Sequence, residues 1–307
     1  MTVPVMLVNM TGAAVNIPLD YVLINGWGWF PEMGIVGAGV ATVTGSFVMV
    51  VLFGVLIFTR ENNARFRVLS NWRLDRALFW RFMHFGLPGG VNFFVDMFAV
   101  TFFVFMVGRI GGIELAATNM VISLDLMIFL PVIGFGFATG VLVGQFIGAE
   151  DPNLGFKVSR SAMQICVAWM GLMALAFLCI PEMLMGLFKD RSMSVEQFAT
   201  IVEMGKQMLR YVAVYAVLDG VVLIYFGALK GAGDIRFVMW SIVCCSIVCM
   251  VVPITLLVNY TDLGFHGPWI CLTSYVAVLT VISWFRFRSG AWTRMRVIEK
   301  AGEKKPA

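Results

Sequence analysis

Eight stretches of this chain are long enough and apolar enough to cross a bilayer, and that decides the fold class before any motif is considered. Crossing roughly 30 Å of hydrocarbon takes about 20 mostly apolar residues in a helix. Such stretches lie at about 2–25, 34–59, 82–108, 114–147, 158–180, 206–229, 236–259 and 264–287. With 60% hydrophobic and 13% charged residues among 307, the chain lacks the polar surface to shield them from water. Backbone groups in lipid must find partners within their own segment, so the expected fold is an all-α polytopic membrane protein. The 114–147 stretch exceeds one straight span, and Pro131 with Gly134, Gly136 and Gly140 marks the expected bend.

The basic residues orient these spans. If the 60–81 loop is cytoplasmic and the spans alternate from there, seventeen of the 22 Lys and Arg fall on the cytoplasmic side. Only Arg109, Lys189, Arg191, Lys206 and Arg210 lie opposite. This asymmetry predicts an inner-membrane, multi-pass protein with both termini cytoplasmic. The net charge of +4 therefore follows topology, and no nucleic-acid partner is expected. The segment Met1 to Asn25 has no basic n-region and carries Asn16 and Asp20, so it reads as a span and not as a cleavable signal. All six cysteines fall within predicted spans, where they pack as small apolar groups; Cys245 and Cys249 share a face without a His cluster to make a metal site.

Four carboxylates, Asp20, Asp96, Asp125 and Asp219, sit inside these spans, and the sequence places no Lys or Arg at comparable depth. An ionised acid at the centre of a bilayer costs about 3 kcal/mol or more unless it is protonated, paired or facing water. A mobile cation is therefore the expected partner, which points to ion or proton coupling. Asn16/Asp20, Asn92/Asp96 and Tyr215/Asp219 are i,i+4 pairs, each setting a neutral oxygen donor beside a carboxylate on one helix face. Hard cations such as Na⁺ prefer oxygen donors, and a buried carboxylate can instead take up a proton. Hydrogen bonding between helices is the plainer role for such acids.

The basic 60–81 segment, interspersed with Phe66, Val68, Leu69, Trp72 and Leu74, predicts an amphipathic connector on the cytoplasmic interface. It divides the chain into 1–59, the connector 60–81, a six-helix unit at 82–287 and a tail at 288–307. Gly34 and Gly37 open the second span as Gly264 and Gly267 open the eighth, 230 residues later, as in a parallel repeat of two halves. If the eighth span closes a half of six, the second closes a half of which only two helices are present.

Several motifs in order resemble the second lobe of multidrug and toxic compound extrusion (MATE) transporters. They are Gly86-Leu87-Pro88-Gly89-Gly90 with Asp96, Glu114 to Asn119, Val143 to Ala149, and Gly227-Ala228-Leu229-Lys230-Gly231-Ala232-Gly233-Asp234. Asn16 to Asp20 and Gly37 to Thr42 resemble that family's fifth and sixth helices. The resemblance covers nearly the whole chain and lacks helices one to four of the family pattern. It implies the last two helices of one lobe plus a complete six-helix second lobe, within a two-lobe antiporter. Such an antiporter exports small organic cations, xenobiotics among them, against Na⁺ or H⁺ entry. It further implies that Asp96, Asp219 and Tyr215 form a second-lobe cation site, with Na⁺ at Asp96 and Asp219 when the ion is a metal, and the i,i+4 spacing adds Asn92 to it. Asp96 stands where the NorM-type branch often has Glu. Asn16, Asp20 and Thr42 match part of a first-lobe site, and Asp125 matches no motif residue although its depth makes it a candidate.

No bound cofactor or enzymatic activity is expected. Gly231-Ala232-Gly233-Asp234 has the G-x-G-D pattern of intramembrane aspartyl proteases, but it lies between Lys230 and Arg236 and reads as a loop turn. His84 and His266 lack ligand-spaced partners and read as surface or capping residues. Pro18, Pro88 and Pro253 fall inside spans as kink positions. The 21 Met and 27 Phe serve packing and lipid contact, and also suit an adaptable cavity for aromatic cations. Two other readings stand beside efflux. A lipid-linked precursor flippase of the same superfamily would favour basic residues where this chain has acids. A non-transporting truncated fragment, or a subunit missing its N-terminal helices, would fit the short front end.

Overall fold

The computed structural model describes residues 2–28, 30–69, 74–189 and 194–295. Positions 70–73 of the predicted connector and 296–307 of the predicted tail lie outside these. The described residues form helices α1 (Thr2–Asn25), α2 (Gly34–Ile57), α3 (Arg60–Phe66), α4 (Arg76–Ile110), α5 (Gly112–Gly148), α6 (Pro152–Cys179) and α7 (Pro181–Gly186). Then follow α8 (Val195–Gly231), α9 (Ile235–Cys245), a π-helical turn (Ser246–Val251), α10 (Val252–Tyr260), α11 (His266–Arg288) and a closing 3₁₀ turn (Ala291–Arg294). Eight candidate spans among the described residues are long and apolar enough to cross a membrane, with α9, the π turn and α10 counted as one. Large apolar side chains such as Ile35, Phe137 and Trp80 stand 92%, 73% and 70% exposed, as expected where lipid is the solvent.

Helix ends follow local chemistry. Asp151 accepts from the Leu154 amide and Pro152 supplies the first turn, so α6 begins six residues before the predicted 158. Ser194 accepts from the Gln197 amide, which starts α8 eleven residues before the predicted 206. Part of the predicted 60–81 connector is helical. It forms a seven-residue helix capped by Thr59, and α4 already begins at Arg76. Within 236–259 the sequence suggested one α-helix, but its middle is a π turn. Pro253 has no N–H to offer the carbonyl of Cys249, and the helix accommodates that by widening just before it.

The chain forms two compact units, Met1–Phe79 and Trp80–Ala307. In the first, α1 and α2 pack through small residues: Gly12 against Met49, Gly37 against the Leu23 carbonyl, and Gly45 against the Cβ of Asn16. In the second, α8 is central and packs on α5, α6 and α11. Its closest partner is α5. A Cβ on Gly140 would stand 2.8 Å from the Gly227 carbonyl oxygen, and one on Gly144 2.9 Å from that of Gly231. Reciprocally, Cβ atoms on Gly227 and Gly231 would run into the α5 backbone at Gly136 and Gly140. The i,i+4 glycines therefore let two backbones touch where any side chain would separate them.

The suspected repeat has a structural counterpart in each unit. Gly34 (φ +53°) and Gly264 (φ +56°) both turn the chain through left-handed backbone ahead of a span. Three residues on, Gly37 and Gly267 each face a leucine of the preceding helix, Leu23 and Leu257.

Candidate functional site

The polar groups of the second unit gather along α4, α5, α8 and α11. On α4, Asn92 is 3% exposed and its Nδ2 donates to Asp96 Oδ2 at 3.2 Å, one turn away. On α5, Asp125 Oδ2 accepts from the Tyr215 hydroxyl of α8 at 3.0 Å. The Tyr215 ring stacks on Trp269 of α11 (6.5 Å, 25°), and Trp269 also stacks on Tyr211 (6.4 Å, 23°). Phe103 of α4 meets the same indole edge-on at 5.3 Å. This aromatic packing aims the phenol of Tyr215 across to α5.

That geometry revises the pairing read from sequence. Tyr215 and Asp219 share a helix face, but the phenol bonds Asp125 on the neighbouring helix. Asp125, which matched no motif, is thereby tied to the aromatic core. Asp219 makes no hydrogen bond to another described residue, and the charges of Asp125 and Asp96 both act on it. The phenol of Tyr275 on α11 lies within reach of the charges of Asp96 and Asp219, and it accepts a hydrogen bond from Ser246 at 3.4 Å. Ser246 opens the π turn, so that distortion bears on the polar cluster.

A second revision concerns charge. The sequence put Lys230 at the end of a span, away from the acids. Its Nζ donates to Asn92 Oδ1 at 2.6 Å, so a flexible four-carbon stem carries an ammonium to the α4 pair. Sequence reasoning missed Lys230, Tyr275 and Ser246. Lys230 lies in the quoted glycine-rich motif, but nothing in the one-dimensional pattern marks where its stem reaches.

The first unit holds its predicted residues more loosely. Asn16 faces α2 at Gly45, and Asp20 Oδ1 is a buried acceptor with no hydrogen-bond partner among the described residues. Thr42 is exposed and its hydroxyl bonds the Ala38 carbonyl of its own helix at 2.9 Å, so it is not joined to Asn16 or Asp20. The remaining polar predictions find partners. His266 Nδ1 lies 3.1 Å from the Tyr211 hydroxyl, and His84 Nδ1 lies 3.1 Å from Arg236. Asp234, 6% exposed, accepts from Arg286 Nε at 2.7 Å, which ties the α8–α9 turn to α11.

The donors on α4, α5 and α8 are carboxylates, a phenol and an amide, all hard oxygen ligands suited to Na⁺ or to a proton. Among the described residues, no three His, Cys, Asp or Glu side chains converge to hold a metal ion.

The comparisons with known proteins bear on the same helices. The MatE family model matches residues 88–255, more than half of the chain and the segment from α4 to α10 that carries these groups. The chain belongs to the MatE family. It is 29% identical over 290 residues to the multidrug resistance protein NorM of Photobacterium profundum, covering 88% of this chain and 59% of that protein. It is 26% identical over 298 residues to the probable multidrug resistance protein NorM of Pseudomonas syringae pv. tomato, covering 97% and 64%. Among solved structures it resembles a MATE protein crystallised in the bent conformation (TM-score 0.79, 20% identity, 95% of this chain and 62% of that one). It also resembles an outward-facing multidrug resistance MATE family transporter of the MOP superfamily (TM-score 0.79, 21% identity, 92% and 61%). This MatE-family chain thus has the MATE helical fold and is a multi-pass membrane protein. It spans about six-tenths of the length of the relatives it matches.

Proposed function

We propose that this chain takes part in secondary active multidrug efflux, exporting organic cations by antiport with Na⁺ or H⁺. The observation that carries the reading is the carboxylate cluster of Asp96, Asp125 and Asp219 inside apolar helices. Among the described residues, Asn92 and Tyr215 donate hydrogen bonds to Asp96 and Asp125, the charge of Lys230 bears on Asp96 alone, and Asp219 has no hydrogen bond. Acids left this way in a low-dielectric core attract a mobile cation, and a cationic drug and a coupling ion then compete for the same negative potential. The names of the NorM relatives support the drug-export part of the reading.

The test is gradient-driven efflux of an ethidium-like dye from cells producing the whole protein, with membrane abundance measured in parallel. Asp96→Asn and Asp219→Asn should each abolish ion-driven export at unchanged abundance, because a neutral amide holds no exchangeable cation. Full efflux by both variants sinks the site, and loss of either protein from the membrane assigns these acids a structural role.

A further inference from the structure

Among the described residues, Lys230 is the charged group that the structure brings to the α4 pair from another helix as a hydrogen-bond donor, and the antiport reading gives it no task. Its ammonium occupies Asn92 Oδ1 at 2.6 Å, while the other end of the same amide donates to Asp96 Oδ2 at 3.2 Å. Asn92 is 3% exposed, so its carbonyl oxygen has little access to water and its hydrogen bonds are strongly felt. That oxygen is also the neutral ligand which a cation at Asp96 would use. An ion binding Asp96 and Asn92 together must therefore evict the lysine and turn the amide, whose Nδ2 faces Asp96.

The rest of Lys230 is built for such eviction. Its backbone is fixed, because Gly227 and Gly231 on either side lie against the α5 backbone. The residue as a whole is exposed, so the stem can swing out while the helix end stays in place. Among the described residues, Asp219 of α8 and Tyr275 of α11 also interact with the charge of Asp96, with Asp125 of α5 acting on Asp219, and these three are not cations.

We propose that Lys230 is a tethered counter-ion that competes with Na⁺ for the Asn92–Asp96 pair of this chain. Bound to Asn92, it keeps positive charge beside the pair after the metal ion has left; displaced, it frees the amide to turn its oxygen to the incoming ion. This rests on the antiport reading, specifies Na⁺ as the ion at this pair, and sets how tightly the ion is held.

The test uses the chain in lipid nanodiscs, with Na⁺ alone as the probe and K⁺ holding ionic strength constant. Two readouts are taken: the Na⁺ midpoint from thermal shift, and acetylation of the Lys230 amine followed by mass spectrometry. Lys230→Met should bind Na⁺ on the order of tenfold more tightly, the size expected when one unit charge is removed from a partly hydrated, well-screened site. Lys230→Arg should stay near the parent, and Na⁺ should speed acetylation of Lys230 in the parent but not in Asp96→Asn. If Lys230→Met does not fold, Lys230→Gln removes the charge with a shorter side chain, and should tighten Na⁺ binding in the same direction. An unchanged midpoint in the neutral variants, or acetylation indifferent to Na⁺, overturns the proposal. So does a failure of Na⁺ to bind any variant. If Asp96→Asn still abolishes dye efflux in either case, the antiport reading stands and only the role of Lys230 fails.

Discussion

At the scale of single residues, Tyr215 carries more than its position suggests. The hydroxyl is the only described hydrogen-bond donor to Asp125, and the ring is 5% exposed between α8 and α11. Tyr215→Phe keeps the ring and its stacking on Trp269 but removes that donor. A buried hydrogen bond to a charged acceptor is worth about 1.5–3 kcal/mol, so the variant should unfold at lower temperature by that order. Asp125→Asn should lose less, because the phenol still donates, now to a neutral amide. In the double variant the loss should be well short of additive, since both changes act on the same bond. Thermal unfolding of the four proteins in one detergent measures this, and additive losses would mean that the two side chains do not interact in the folded protein.

At the scale of elements, the α5–α8 contact and the π turn both depart from uniform helix packing. At the contact, Gly136, Gly140 and Gly144 meet Gly227 and Gly231 with no room for a methyl group. Gly140→Leu should force the two backbones apart. Overpacking of this kind costs about 1–3 kcal/mol and displaces Asp125 relative to Tyr215. The same substitution at Gly171 of α6, where an added Cβ meets nothing within 4 Å, should cost much less. Comparing their unfolding temperatures checks this, and equal losses would deny the glycine contact its role. The π turn has a different cause. Pro253 leaves the Cys249 carbonyl without its α-helical donor, and Ser246 at the start of the turn reaches Tyr275.

At the scale of the whole molecule, the distribution of Lys and Arg gives a topology prediction. The segment 60–81 should face the cytoplasm and the α10–α11 connection the outside. In a cysteine-free background, an impermeant thiol reagent added outside intact cells should leave a probe at Ala64 unmodified and modify one at Thr261. Modification of Ala64 from outside would invert the entire map. The internal repeat belongs to this scale too. Left-handed glycines 230 positions apart, each followed by a glycine seated on the preceding helix, are a shared local design within the two units.

Span number, helical class and family were legible because each depends on composition or order along the chain. A 20-residue apolar run can satisfy its backbone in lipid only as a helix, whatever surrounds it. The carboxylates were legible as candidates for the same reason: an acid at that depth is expensive in any packing. Pairings across helices were not. The i,i+4 rule placed Tyr215 beside Asp219, yet stacking on Trp269 sent its phenol to Asp125 on α5. Charge counting assigned Lys230 to a helix end, but its long stem reaches Asn92 on α4, a helix far from it in sequence. Helix starts at Pro152 and Val195 were set by capping groups outside the apolar runs, and the π turn by one missing N–H. Sequence determined which groups must be dealt with in the membrane; tertiary structure decided which of them meet, because side-chain reach and backbone approach belong to pairs of helices and not to either one.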